Sequence, residues 1–177
     1  MSHNKLPFFI FLDIDGVFNC QTFYKERFDK WEKDGYPQDE THLQYKMNQL
    51  CKERFGWFND LVEEIDAKVV ISSTWRMDGK EELQFIFDAM GATFEIFDVT
   101  PRTGYERGTE ISKWLKDNIK PELYGVHYFD FYRYAIIDDD SDMLLNQGPH
   151  FFQTDNYSGL TPNTCYKIKR FATHKTF

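Results

Sequence analysis

The sequence has little cysteine, no cationic excess and no long apolar run. Its three cysteines, Cys20, Cys51 and Cys165, are odd in number and widely spaced, and none forms a CxxC pair. That pattern argues against a disulfide framework and against a zinc site. None of them opens the Cys-x5-Arg loop that a thiol-based phosphatase needs. Lys and Arg total 21 against 29 Asp and Glu, a net charge of −8. Such a balance disfavours non-specific binding to a phosphate backbone, though it leaves room for one local basic site. The apolar run near the N-terminus, Leu6 to Leu12, stops at Asp13 and is too short for a signal-peptide core or a membrane span. Repeats, low-complexity segments and interdomain linkers are also missing. These absences predict a protein of the reducing cytoplasm with no membrane attachment and no evident obligate protein partner.

What is present is enough chain for one sizeable core and a large supply of rings. At 177 residues the sequence reads as a single domain, 1–177, and aromatics make up 18% of it. Pro7 to Leu12 is a continuous apolar stretch of the kind buried in parallel sheets, and it ends in Asp13-Ile14-Asp15-Gly16. Residues at about 19–55 change character. Phe23, Tyr24, Phe28 and Trp31 share one helical face over Gln21 to Trp31. Leu43, Met47, Leu50 and Cys51 form a second face, with a turn at Asp34 to Pro37 between them. A third helix is predicted at about Trp57 to Asp66.

Short strands and helices then alternate. Lys68 to Ile71 is a strand ending in Ser72-Ser73-Thr74-Trp75-Arg76. Glu81 to Met90 is a helix closed by Gly91, and Ala92 to Phe97 a strand. Thr109 is placed to cap a helix through Ile111, Trp114 and Leu115. Tyr134 to Ile137 is a strand running into Asp138-Asp139-Asp140. His150 to Thr154 is a last strand, and Pro162 to Thr173 a last helix. The alternation predicts an α/β fold, a Rossmann-like parallel sheet flanked by helices. The 19–55 stretch reads as a small helical insertion after the first strand.

Three apolar strands thus end in polar clusters: Asp13/Asp15, Ser72/Ser73 and Asp138/Asp139/Asp140/Asp142. The carboxyl ends of parallel strands form the ligand crevice of an open sheet, so these clusters converge. Several carboxylates in one crevice repel one another unless a cation is present. Mg²⁺ suits oxygen ligands of this kind, together with waters and a substrate phosphate. Asp13 is then a candidate nucleophile toward phosphorus. Asp15 is a candidate acid and base. Gly16 allows close backbone approach. Ser72 or Ser73, with Thr74, offers donors to phosphoryl oxygens, and a cation offsets their charge.

These residues resemble the haloacid dehalogenase (HAD) superfamily of phosphohydrolases. FLDIDGVFN at 11–19 is similar to its first motif, ISSTWR at 71–76 to its second and YAIIDDDSDM at 134–143 to its acidic fourth. RGTEISKWL at 107–115 is the candidate for the third, with Arg107 as charge clamp and Lys113 in reserve. The resemblance implies Asp13 as nucleophile and Asp15 as acid/base. It implies Mg²⁺ held by the Asp13 carboxylate, the Asp15 backbone carbonyl and a fourth-motif aspartate. Either Asp138 with Asp142 or Asp138 with Asp139 fits the family spacing. The SSTWR, RGxEIxxWL and DDDSDM runs also look like HAD domains associated with RNA-repair proteins, and polynucleotide 3′-phosphatases share the layout. In the superfamily, an insertion at this place caps the site and reads the substrate.

Each of these features also has a plainer explanation. A lone DxDG suits an Asx turn, Ser72 to Thr74 suit a helix cap, and the aspartate run suits a solvated turn. Arg76 fits a substrate contact or a structural ion pair. The insertion is charge-neutral, and its aromatics fit a small core or a base-stacking surface. The expected activity is Mg²⁺-dependent phosphomonoester hydrolysis, on a phosphorylated small molecule or a nucleic-acid end. A receiver-like phosphoacceptor or a non-catalytic phosphate-binding module is the alternative.

Overall fold

The computed structural model describes residues 6–174. Strand β1 (Phe8–Leu12) is buried along its whole length, which is why its apolar run is unbroken. It is the middle of a five-stranded sheet ordered β3-β2-β1-β4-β5. The others are β2 (Ala67–Ile71), β3 (Ile96–Val99), β4 (Tyr134–Asp138) and β5 (Phe151–Gln153), and every neighbouring pair is parallel. The α/β reading with a Rossmann-like parallel sheet therefore holds.

Parallel pairing requires crossovers, and helices supply them. The chain forms α1 (Gln21–Asp34), α2 (His42–Asn48), α3 (Lys52–Ile65), α4 (Lys80–Ala89), α5 (Arg107–Asn118), α6 (Pro121–Tyr124) and α7 (Pro162–His174). Side chains alternate along β1 and so feed two separate cores. Phe8, Ile10 and Leu12 pack with Phe55, Phe58 and Leu61 of α3, Ile86 and Phe87 of α4, and Ile168 of α7. Phe9 and Phe11 pack on the other face with Ile111, Trp114 and Leu115 of α5. Most of the aromatic excess lies in these two layers. None of the helices among the described residues is long and apolar enough to cross a membrane.

Some boundaries differ from expectation. The strand expected over Ala92 to Phe97 is β3 at Ile96–Val99. Residues 91–95 instead close α4: the Gly91 and Ala92 amides donate to the Asp88 and Phe87 carbonyls. Asn59 then accepts from the Thr93 amide and Gln84 from the Ile96 amide. The third helix begins at Lys52, so residues 52–55 of the 19–55 stretch are its first turn, with Phe55 buried beneath Phe18. Helix α1 contains no fully buried residue. Its four aromatics instead surround the Arg27 guanidinium, at 4.7–5.6 Å from each ring centroid. Arg27 also donates to the Asn48 carbonyl and so ties α1 to the end of α2.

Thr109 does not cap α5. The helix starts two residues earlier, at Arg107, because a distant loop caps it. The Arg107 amide donates to Asp142 Oδ2 at 2.9 Å, and the Gly108 amide to the Asp142 carbonyl at 3.2 Å. Gly108 is where the two segments touch. A Cβ there would lie 2.5 Å from both the Leu144 amide nitrogen and Gln147 Oε1. Gly108→Ala is therefore expected to push α5 off this loop and destabilise the protein by roughly 1–3 kcal/mol. Urea unfolding measures it, and an unchanged midpoint would contradict the close contact.

Candidate active site

Residues at equal height on β2, β1 and β4 meet because the register is fixed by the sheet. Leu12 pairs with Ile71 on one side and Ile137 on the other. The next residues out are Ser72, Asp13 and Asp138. Pairing continues this far, since the Asp13 amide donates to the Ile137 carbonyl at 2.9 Å and the Ser72 amide to the Leu12 carbonyl at 2.8 Å. Three residues up to 125 positions apart in sequence are thereby lined up at one edge of the sheet.

Asp13 and Asp138 are buried, and Asp139 is half-buried beside them. Carboxylate oxygens of the three lie within 4.8 Å of one another. One cation of the chain serves two of them. Arg107 Nη2 is 3.5 Å from Asp13 Oδ1, and its Nε is 3.3 Å from Asp138 Oδ2. That compensation is incomplete. Burial pushes the Asp13 carboxyl up to about 7 despite Arg107. Burial, then the neighbouring Asp13 charge, pushes Asp138 up to about 8. Burial also raises Asp139. Asp138 Oδ2 is buried and, beyond its ion pair with Arg107, receives no hydrogen bond.

The donor set fits a hard divalent cation. It offers three carboxylates against one arginine, which leaves it two positive charges short of neutrality. Gly16 is part of this fit. Its φ is +69°, and a Cβ on it would lie 2.1 Å from the Asp139 Cγ, so only glycine lets that carboxyl rest against the DxDG turn. Asp142 stands apart from the group. Its carboxylate is spent on the α5 N-terminus, so the DD spacing, not Dx3D, gathers the carboxylates.

The remaining expected residues divide. Ser73 is buried beside Asp13, where its side chain favours the carboxylate, and its hydroxyl accepts from the Trp75 amide at 3.4 Å. Ser72 is turned the other way, its hydroxyl 3.4 Å from that of Thr100. The Asp15 carboxylate is exposed and outside the buried trio, and Thr74 Oγ1 lies 3.5 Å from it. Arg76 does not face this centre as a free donor. It forms a buried ion pair with Glu110 at 2.5 Å and donates to the Ser73 carbonyl at 2.7 Å. Lys113 is likewise elsewhere, paired with Asp117 one turn along the exposed face of α5. Sequence reasoning overlooked Glu110, whose other oxygen accepts from the Thr103 amide at 2.8 Å. It sits in the same RGTEISKWL run, and a carboxylate one turn after Arg107 was the available signal.

The raised carboxyls have a consequence for stability. Without a cation, the folded protein retains protons on Asp13 and Asp138 that the unfolded chain loses above its ordinary value of 3.8. The folded state then binds more protons, so stability falls as pH rises from there to about 7 and about 8. In EDTA the melting temperature is expected to be lower at pH 8 than at pH 5.5, and Mg²⁺ is expected to raise it more at pH 8. Differential scanning fluorimetry checks both. A Tm insensitive to Mg²⁺ at either pH would remove the cation site.

No curated protein and no solved structure matches the chain. Residues 9–165 match the family model described as the HAD domain in Swiss Army Knife RNA repair proteins. The match runs from β1 past β5 and into α7, and it takes in each strand whose end contributes to the site. On that span the chain belongs to the HAD domain family of the Swiss Army Knife RNA repair proteins, within a superfamily of phosphatase-type hydrolases.

Proposed function

We propose that the protein is a Mg²⁺-dependent phosphomonoesterase that works through an aspartyl-phosphate and acts on nucleic-acid ends. The observation that carries this is the crowded Asp13–Asp138–Asp139 group, which among the described residues has Arg107 as its one ion-pair partner. A surface turn or a structural ion pair has no need of three crowded carboxylates against one arginine. Asp13, Asp138, Asp139 and the Asp15 backbone carbonyl are the groups that would hold the ion. When bound, Mg²⁺ neutralises charge and orients the phosphoryl oxygens.

The chain's own groups then have defined tasks. An Asp13 oxygen attacks phosphorus, the ester P–O bond breaks, and Asp15 gives its proton to the departing oxygen. In the second step Asp15 takes a proton from water as the water oxygen attacks phosphorus. The Asp13–phosphorus bond breaks and inorganic phosphate leaves, with Asp13 a carboxylate again and Asp15 reprotonated. Ser73 and Arg107 hold Asp13 in one orientation, and Arg107 offsets charge on the transferring group.

RNA repair in the family description supports a nucleic-acid end as substrate. So does the insertion, where Phe28, Tyr36 and Tyr45 are exposed and Phe28 lies against Arg27. A terminal phosphate requires local clamps only, so the net charge of −8 is no obstacle. Free Cys20, Cys51 and Cys165 support a reducing cytoplasm as the place of action.

The test is phosphate release with Mg²⁺ from 3′- and 5′-phosphorylated oligonucleotides, mononucleotides and sugar phosphates. Oligonucleotide ends are expected to be preferred, EDTA to abolish release, and Asp13→Asn to lower kcat/KM by roughly 10³-fold or more. Preference for mononucleotides over every oligonucleotide would remove the end-processing reading. Turnover surviving Asp13→Asn would remove the aspartyl-phosphate.

A further inference from the structure

Asp15 is exposed, yet its carboxylate is held in one place by donors from two elements. Asn19 Nδ2 donates to Oδ1 at 2.7 Å, and Asn19 is itself oriented by accepting from the Gly16 amide at 3.0 Å. The Trp75 indole N–H lies 3.1 Å from both oxygens. An N–H equidistant from two oxygens points along the bisector of the carboxylate, so it fixes the direction in which the group faces. Indole suits this task. It has a single donor in a rigid plane, and Trp75 packs against the main core, so little freedom remains.

The same ring also touches the insertion. Lys46 of α2 places its Nζ 4.8 Å from the Trp75 ring centroid and pairs with Asp78 at 2.5 Å. Asp78 closes the 3₁₀ turn Thr74–Asp78 that begins at Trp75's own segment. Trp75 therefore stands between α2 and Asp15, one face under a cation and its edge on the carboxylate.

We propose that Trp75 is the positioning residue for Asp15, and that Lys46 makes this positioning depend on the docking of α2. The role rests on the phosphatase reading, in which Asp15 transfers protons to and from the reacting oxygens. Proton transfer within hydrogen-bond reach requires a carboxyl that already faces the phosphoryl group. A surface aspartate free to rotate would spend much of its time facing water.

Leaving-group dependence separates this role from a structural one. An alkoxide leaves only with a proton, whereas 4-nitrophenoxide leaves without one. kcat/KM reports the steps up to departure of the alcohol. Trp75→Phe keeps an aromatic ring, smaller than indole, and removes the N–H. It is expected to lower kcat/KM for glycerol phosphate by about tenfold or more and for 4-nitrophenyl phosphate by no more than about twofold. The water-activating step also uses Asp15, so the variant should release nitrophenol in a pre-steady-state burst absent from the parent. Lys46→Met is expected to shift the same ratio in the same direction, by about threefold.

Circular dichroism establishes whether Trp75→Phe folds. If it does not, replacing Trp75 with its benzothienyl analogue, in which sulfur stands for the N–H, makes the same comparison. Equal losses on both esters, or none on either, would overturn the positioning role while leaving the phosphatase reading intact. A Lys46→Met ratio equal to that of the parent would overturn the link to α2. A parent protein that releases phosphate with Mg²⁺ from neither ester nor from any phosphorylated oligonucleotide, mononucleotide or sugar phosphate would overturn the phosphatase reading, and this role with it.

Discussion

The burial of Asp13 and Asp138 side by side, with Asp139 against them, is the constraint around which the rest is arranged. Burial first, and neighbouring negative charge second, push these carboxyls up and make them resist ionising. The sheet register brings them together regardless, because hydrophobic burial along β1, β2 and β4 outweighs the local penalty. Arg107 supplies partial relief, and its supply depends on where α5 begins. That is why the α5 N-terminus is held so tightly, by Asp142 on one side and by the small Gly108 on the other.

A second layer supports the first. Arg76 joins the end of β2 to α5 through Glu110, and Glu110 also holds the loop before α5 through the Thr103 amide. A buried ion pair is a modest source of stability because desolvation offsets its attraction. Its contribution here is geometric: it links the turn that carries Ser73 to the helix that carries Arg107. Thr154 does something similar from β5's end by donating to the Gly16 carbonyl at 3.1 Å. The DxDG turn is thus gripped from both of its flanks. The aspartate outside this frame, Asp15, is held by Asn19 and Trp75 instead.

Much of this was legible in the chain, for identifiable reasons. Unbroken apolar runs mark strands buried on both faces, so β1, β2 and β4 stood out. The polar clusters at their ends followed from the same boundaries. Where local signals competed, the reading slipped. Phe94 made residues 92–97 look like a strand, but its ring instead packs against Phe55, Phe58 and Phe87 while the backbone turns. Thr109 had the chemistry of a cap, yet Asp142 took that place from 33 residues away. The aromatic face of α1 was legible as periodicity; its packing around Arg27 was not.

The sequence by itself determined the parallel α/β fold and the alignment of Asp13, Ser72 and Asp138 at strand ends. Periodicity and strand boundaries are local properties, and they suffice for that. Only the tertiary structure decided that Asp139 joins the group while Asp142 caps a helix. It also decided that Ser73 and not Ser72 faces Asp13, that Arg76 belongs to Glu110, and that Trp75 holds Asp15. Each of these choices turns on which way a side chain points after a loop has closed. That direction is set by contacts between residues distant in sequence, which no local pattern encodes.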